Sequence, residues 1–470
     1  MENRINWLQL ISVIGYTIIL LALAKKGAKR TKNVTDYLIG GWNIPWIFAG
    51  CVILGDWLGA TTSIGVGQTA YEKGIGGISY NIGLGAGLIV LALVFSIKLR
   101  SFKCITISEV MGTLFDSKVR ILSSIVLASA YFIVTSVQFV GGGAIIAQLT
   151  NLSLSWGIVI TVAVTLLILL SGGIWSIGFT NVLNVVVIYV GLVAGTVFTL
   201  QRSGGWKAFS LHLPERFLDP FYIGTSNFFA FIIIGFLSAF VGQAGLMGIF
   251  GAKTPEAARK ATLFAGAFFI PVGFLCAILG MASRLIYGSG LPNSIQAIPA
   301  VVLTFPPALS IVVFLSLWAL MLSTTGPVLF ALTQIVMRDI VPVVIKGLSE
   351  QKTYLLSRLM VILLGFSCTI ASFTIIHILQ TSMFAFTVRD GLAIALFFAF
   401  IFGSHRSWIT SPEGVFCAIL AGFVTTISWV LILNRPWGLH EIYPTVIIFI
   451  IVLLLVNFSK KFFQRKKAKN

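Results

Sequence analysis

A chain of 470 residues that is 57% hydrophobic and 10% charged, with a mean hydropathy of +1.01, has too little polar surface for a soluble fold, since soluble domains carry about 25% charge. Its net charge of +18 does not mark a nucleic-acid partner, because the basic residues fall in short clusters between apolar runs, as a membrane topology signal does. The five cysteines, Cys51, Cys104, Cys276, Cys368 and Cys417, show neither metal-ligand spacing nor a disulfide framework and read as small apolar residues or free thiols.

A membrane-spanning helix needs about 20 apolar residues. The first such run, 7–24, has no basic leader beyond Arg4 and is followed by Lys25-Lys26 rather than a small-residue cleavage site. It therefore reads as a retained first helix and not a signal peptide. Further runs follow at 44–70, 76–97, 121–148, 155–172, 178–200, 227–250, 261–283, 309–337, 354–376, 379–403, 413–434 and 442–459. The expectation is an all-α membrane protein of about thirteen transmembrane helices, with no soluble domain in its longest loops, 201–226 and 284–308. With the N-terminus placed outside, the inside segments 25–32, 98–120, 253–260, 338–358, Arg406 and 460–469 hold 24 of the 32 Lys and Arg residues. That bias fits an odd number of spans, a cytoplasmic C-terminus and a multi-pass plasma-membrane protein whose first partner is the lipid bilayer.

Two spans are rich in glycine, hydroxyls and amides at mid-membrane depth. The second holds Gly55-Asp56-Trp57-Leu58-Gly59-Ala60-Thr61-Thr62-Ser63-Ile64-Gly65, and the seventh holds Gly235-Phe236-Leu237-Ser238-Ala239-Phe240-Val241-Gly242-Gln243-Ala244-Gly245. Glycine costs about 1 kcal/mol against alanine inside a helix. Unwound backbone survives in a membrane only where it lines a cavity or is buried in protein. Close helix packing through small residues is the other reading of each stretch. The pair stands five spans apart, so the two run in opposite directions. Two broken helices in corresponding places of two halves predict an inverted repeat with the binding site at its middle.

Six motifs, in order, resemble the sodium:solute symporter family over nearly the whole chain. They are Asp36-Tyr37-Leu38-Ile39-Gly40-Gly41; Ala60-Thr61-Thr62-Ser63-Ile64-Gly65 with Ala70-Tyr71 and Gly74; Arg100 with Thr106-Ile107-Ser108-Glu109; Gly172-Gly173 with Thr180-Asn181-Val182-Leu183-Asn184; Ala252-Lys253 with Ala258-Arg259; and Ser323-Thr324 before Asp339. The resemblance implies a five-plus-five inverted-repeat core of the LeuT type and alternating access. The first repeat would cover 44–200 and the second 227–403, joined by an extracellular loop at 201–226. A first helix and basic loop at 1–43, and two added helices with a basic tail at 404–470, would stand outside the core.

The resemblance also implies a sodium site. Its carbonyl ligands fall on Gly55, Leu58 and Leu320, and its hydroxyl ligands on Ser323 and Thr324. Leu320, Ser323 and Thr324 are three and four residues apart and share one helix face. A bond from each hydroxyl to its own preceding turn is the competing structural reading. Asn181 stands where the family often has an aspartate, which speaks against a second cation site and for one sodium per solute. Met247-Gly248 replaces the family's usual Gln-Arg pair.

Asp56 is a carboxylate deep in a span, a position that costs at least about 2.5–3.5 kcal/mol on insertion scales and marks function by default. It is a candidate for binding a cationic group on the solute, for proton coupling, or for structural pairing. The pocket is expected where the breaks meet, with Thr61, Thr62, Ser63, Gln138, Phe236, Ser238, Phe240 and Gln243 as further candidates. Arg389-Asp390 is placed in the outer part of its span, as an outer gate or an interfacial pair, and Arg100 is matched with Glu109 at the inner side. The best reading is sodium-coupled symport of a small polar organic solute, with no cofactor. Proton coupling through Asp56 is the alternative. A sensor lacks a signalling domain, a channel lacks a filter repeat, and a membrane enzyme lacks a catalytic constellation, since His212, His377, His405 and His440 lie in loops or at span ends.

Overall fold

A computed structural model describes residues 7–403 and 409–467; Arg4, His405, Arg406 and Lys469, which enter the topology reading, lie outside them. The described chain runs through α1 (Trp7–Ala28), α2 (Trp46–Trp57), α3 (Ile64–Lys73), α4 (Ser79–Val90, extended by a π turn and a short helix to Ser101), α5 (Ile107–Leu114), α6 (Ser117–Thr150) and α7 (Leu154–Arg202). It continues through α8 (Thr225–Val241), α9 (Gln243–Gly251), α10 (Pro255–Tyr287), α11 (Pro307–Ile335), α12 (Glu350–Ser372), α13 (Ile378–Phe402), α14 (Pro412–Leu431) and α15 (Ile442–Lys467).

Among the described residues, eleven helical stretches are long and apolar enough to cross a membrane. Their outer faces carry the side chains that water would reject. α12 alone exposes Leu355, Leu359, Ile362, Leu363, Phe366 and Ile370. An apolar stripe this long belongs against lipid. The chain is thus a multi-pass membrane protein.

Eleven stretches correspond to thirteen apolar runs because Leu154–Arg202 holds two of them, and the run at 44–70 is split between α2, too short to count by itself, and the start of the stretch Ile64–Ser101, which also holds the run at 76–97. α7, 49 residues long, would reach about 74 Å if straight, more than twice a ~30 Å hydrocarbon core. It bends at Gly172 (φ −166°, ψ 23°) and Gly173 (φ 60°, ψ −138°). Thr165 on one arm bonds Thr325, and Asn181 on the other bonds Ser323, so the two arms return to one level of α11. The stretch from Ile64 to Ser101 also turns back, at the 3-10 segment Gly74–Ile78, and Asn81 Nδ2 reaches the Thr62 carbonyl at 3.3 Å.

Both interrupted spans are present as breaks. α2 ends at Trp57, residues 58–63 are unwound, and α3 resumes at Ile64. α8 and α9 are parted at Gly242 (φ −72°, ψ 84°). The start of α2 pairs with the end of α9: Ile44 N–H donates to the Gly251 carbonyl at 3.0 Å, and Lys253 N–H to the Ile44 carbonyl at 2.9 Å. The two half-helices are therefore antiparallel neighbours. Their breaks interlock through Trp57, whose ring lies where a Cβ on Gly242 would come within 2.2 Å of it.

Gly173 carries the α7 bend in a conformation open to glycine alone, with Tyr37 O only 2.4 Å from the place of a Cβ. Gly173→Ala is expected to lower thermal stability by about 1–3 kcal/mol. Gly15→Ala, where no atom lies within 4 Å, is expected to cost nothing. Equal melting of the two variants in a fluorescence unfolding assay would contradict this account of the bend.

Candidate functional site

Unwinding at 58–63 removes the N–H groups that would cap the last carbonyls of α2. The Gly55 carbonyl is one of them. It accepts Ser323 Oγ at 2.9 Å and Thr324 Oγ1 at 2.8 Å from α11, and Ser323 Oγ also lies 2.9 Å from the Leu320 carbonyl. Four neutral oxygens from two helices thus converge in the buried core, at the carbonyl-rich and hence negative end of α2. Leu58 (φ −82°, ψ 37°) is the residue at which α2 unwinds. A cation would take the place of the hydroxyl hydrogens now shared among these oxygens. This donor set suits a hard monovalent ion that must also leave.

The back of this cage is set by a proline. Pro327 has no N–H, so the carbonyl four residues earlier, that of Ser323, loses its helical donor. Asn181 Nδ2 of α7 fills the gap at 3.2 Å. Asn184 Nδ2 then donates to Asn181 Oδ1 at 3.2 Å, and the Tyr16 hydroxyl of α1 donates to Asn184 Oδ1 at 2.6 Å. Three helices are tied in one polar chain that an aspartate at 181 would interrupt.

Beside the cage lies a cavity of ≈ 20 Å³, lined by Asp56, Trp57, Gly59, Thr61, Thr62, Tyr80, Tyr131, Val134, Gln138, Thr324, Val328, Phe386 and Arg389. That is room for about one water. Thr324 belongs to both cage and cavity. Gln138 Oε1 accepts the Ala60 N–H at 2.6 Å, Thr62 Oγ1 donates to the Trp57 carbonyl at 2.6 Å, and Thr61 and Ser382 hydroxyls meet at 2.7 Å.

The structure brings Asp56, Thr61, Thr62 and Gln138 to this cavity and places the other solute candidates elsewhere. Ser63 Oγ bonds back to the Gly59 carbonyl at 2.7 Å. Phe236 and Phe240 pack on Phe397, at 6.0 and 4.3 Å between centroids, and Ser238 is buried outside the lining. Gln243 points the other way, accepting Ile107 N–H at 2.8 Å and donating to the Ile105 carbonyl at 2.9 Å and to Gln334 Oε1 at 3.2 Å. Gln334 donates in turn to the Leu38 carbonyl.

Two charge placements are corrected. Arg389 and Asp390 are not at an outer edge: they lie in the middle of α13, 1% and 0% exposed, because the helix runs unbroken through them. Arg100 does not pair with Glu109. It donates to the Ala252 carbonyl at 2.6 Å, while Glu109 bonds Arg120 at 3.2 Å and Arg338 at 3.0 Å. Arg120 also holds Asp339, which accepts the Thr106 hydroxyl at 2.9 Å. In the loop beside this network, burial pushes the Cys104 thiol up to about 11, so it stays protonated at neutral pH. Tyr80, Tyr131 and Phe386 carry no signal in the sequence that separates them from lipid-facing aromatics.

Comparison with known proteins matches residues 37–422 to the family described as the sodium:solute symporter family. Among solved structures, the fold resembles a Na+-coupled sialic acid symporter in a substrate-bound outward-open state, with a TM-score of 0.77 and 14% identity over 96% of both chains. It also resembles Mhp1, a nucleobase-cation-symport-1 family transporter in a closed conformation with bromovinylhydantoin bound (TM-score 0.58, 14% identity, 93% and 95% covered). MhsT in complex with L-phenylalanine gives a TM-score of 0.53 at 15% identity, over 88% of this chain and 98% of that one. At such identities the likeness concerns the fold.

The Asn181 bridge makes a sharp prediction. A carboxylate only accepts hydrogen bonds, so Asn181→Asp leaves the Ser323 carbonyl without a donor. The expected loss is about 1–3 kcal/mol, seen as earlier melting of the purified protein. Melting identical to the parent would remove the bridge from the account.

Proposed function

Because the chain belongs to the sodium:solute symporter family, we propose that it carries a small polar organic solute across the membrane together with sodium, by alternating access. The observation that carries this reading is the meeting of the Gly55 and Leu320 carbonyls with the Ser323 and Thr324 hydroxyls at the α2 break. Leu58 completes the proposed cage. Asp56, Thr61, Thr62 and Gln138 are the proposed solute contacts from the predicted set, joined by Arg389 and the aromatic wall. Neutral Asn181 supports one sodium per solute. The proton-coupled alternative through Asp56 is set aside, since the family supports sodium.

The bends in α7 and after α3 support thirteen crossings, and the antiparallel half-helices α2 and α9 support two inverted five-helix repeats at 44–200 and 227–403. The N-terminus is then outside and the C-terminus in the cytoplasm of a plasma-membrane protein. In that orientation the contacts of Gln243, Arg120 and Glu109 lie on the cytoplasmic side and close the inner path. Thr324 couples the two cargoes, because an ion that draws the α2 break onto α11 also shapes the cavity wall. By linkage, each ligand then raises the affinity for the other by the same factor.

Thermal unfolding in sodium against choline and potassium tests the reading. A saturable rise specific to sodium is expected, of about 2.7 kcal/mol at a hundredfold excess over Kd. The Ser323→Ala/Thr324→Ala double variant is expected to lose it. Equal melting in all three salts across a wide concentration range would overturn sodium coupling.

A further inference from the structure

We propose that the transported solute is a compact zwitterion, its anionic group held by Arg389 and its cationic group by Asp56. This rests on the symport reading and names the substrate class of the same site.

The two residues face one cavity and are 1% and 4% exposed. Arg389 Nε and Nη2 have no hydrogen-bond partner, and neither does Asp56 Oδ1. A guanidinium keeps its charge under all ordinary conditions, and its planar fork matches a carboxylate in two parallel bonds. Buried charged groups with free donors or acceptors are expensive, more so at mid-membrane depth. A ligand that supplies both partners removes that expense.

Neighbouring groups hold each charge in place and leave some of its polar atoms free. Asp390, buried beside Arg389 on α13 with both carboxylate oxygens unpartnered, lies outside the cavity lining and attracts the guanidinium from behind. The Arg389 guanidinium lies 4.7 Å from the Phe386 ring centroid, 5.2 Å from that of Tyr131 and 5.9 Å from that of Trp57. These contacts engage aromatic faces, and with the Tyr131 hydroxyl also hydrogen-bonded to the guanidinium, Nε and Nη2 are the donors left for a ligand. Asp56 accepts the Gly245 N–H from the second break, which leaves Oδ1.

The signs select the solute. Asp56 alone would favour a cation, but Arg389 in the same wall repels one. An anion meets the reverse conflict. A zwitterion matches both groups and adds no net charge to the membrane interior. Val134 and Val328 in the same wall offer apolar contact for its carbon skeleton, and the space of ≈ 20 Å³ must widen to admit it.

The test uses the purified full-length protein, with melting read in sodium and in choline. The probes are L-alanine, L-proline and glycine betaine as zwitterions, propionate as anion, propylamine as cation and glucose as neutral polyol. The expected result is a further upward shift, in sodium only, from at least one zwitterion and from none of the other three. Arg389→Gln and Asp56→Asn are expected to abolish that shift while sodium still raises the melting of each variant, over a weaker concentration range for Asp56→Asn and a tighter one for Arg389→Gln, which shows that each variant is folded. Arg389→Lys is expected to retain part of the zwitterion shift. The proposal is overturned by a sodium shift with no zwitterion shift, by an equal shift from propylamine or glucose, or by a zwitterion shift that survives Arg389→Gln. If the variants do not fold, the six probes on the parent protein still decide. Loss of the sodium shift in the parent would instead overturn the symport reading beneath it.

Discussion

Backbone groups freed at a helix break inside a membrane must find partners within the protein, and most of this site is built from those partners. The Gly55 carbonyl takes hydroxyls from α11, the Ala60 N–H takes Gln138 from α6, and the Thr62 carbonyl takes Asn81 from α4. At the second break, the Ala244 N–H takes the Tyr131 hydroxyl at 3.0 Å. Each freed group draws in a side chain from outside its own span, and α6 serves both breaks, through Gln138 and Tyr131. The break is therefore the hub through which the surrounding helices sense each other. Continuous helices would satisfy the same groups internally and leave nothing to couple.

The same accounting explains why the polar side chains divide into two environments. The cage uses neutral oxygens backed by Asn181, whereas full charges stand in the cavity. Away from both, Gln243 and Gln334 form an amide relay that ties the segment before α5 to α9, α11 and the Leu38 carbonyl. Arg120, Glu109, Arg338 and Asp339 lie beside it as an ionic cluster. The cluster ties α5 and α6 to the segment after α11, and its exposed pairs are individually weak.

Both breaks are legible in the sequence because glycine, hydroxyl and amide residues at mid-span have few uses other than unwinding or close packing. The hydroxyl pair Ser323-Thr324 is legible through its spacing and the family motif. What stays hidden is direction. Gln243 sits in the second break, yet nothing local says that its amide turns to Ile105 and Ile107 rather than to the cavity. Arg389-Asp390 reads as an edge pair because adjacent opposite charges usually end a span, and only the uninterrupted α13 places them at its centre. The Asn181–Ser323 bridge joins residues 142 apart and depends on Pro327 having freed a carbonyl. A pattern that distant is not visible to periodicity. The count of thirteen runs against eleven helical stretches has a similar origin, since glycine bends reverse the chain without a polar loop to announce them.

On the proposed reading, the charged cavity also supplies the coupling. Unit charges within about 10 Å still exchange roughly 1–2 kcal/mol at an effective dielectric near 20. Asp56 is the residue after Gly55, so its carboxylate favours an ion in the cage, while the Arg389 guanidinium opposes one. A solute anion docked on Arg389 offsets that opposition, and a solute cation docked on Asp56 weakens the attraction. The balance depends on which solute group sits nearer the cage. Thr324 borders both spaces, so a carboxylate on the cage side of the cavity would favour sodium. Sodium would favour that orientation in return. Coupling then requires no large relay between sites, only a dipolar solute held in one direction beside a cage that carries no charge of its own.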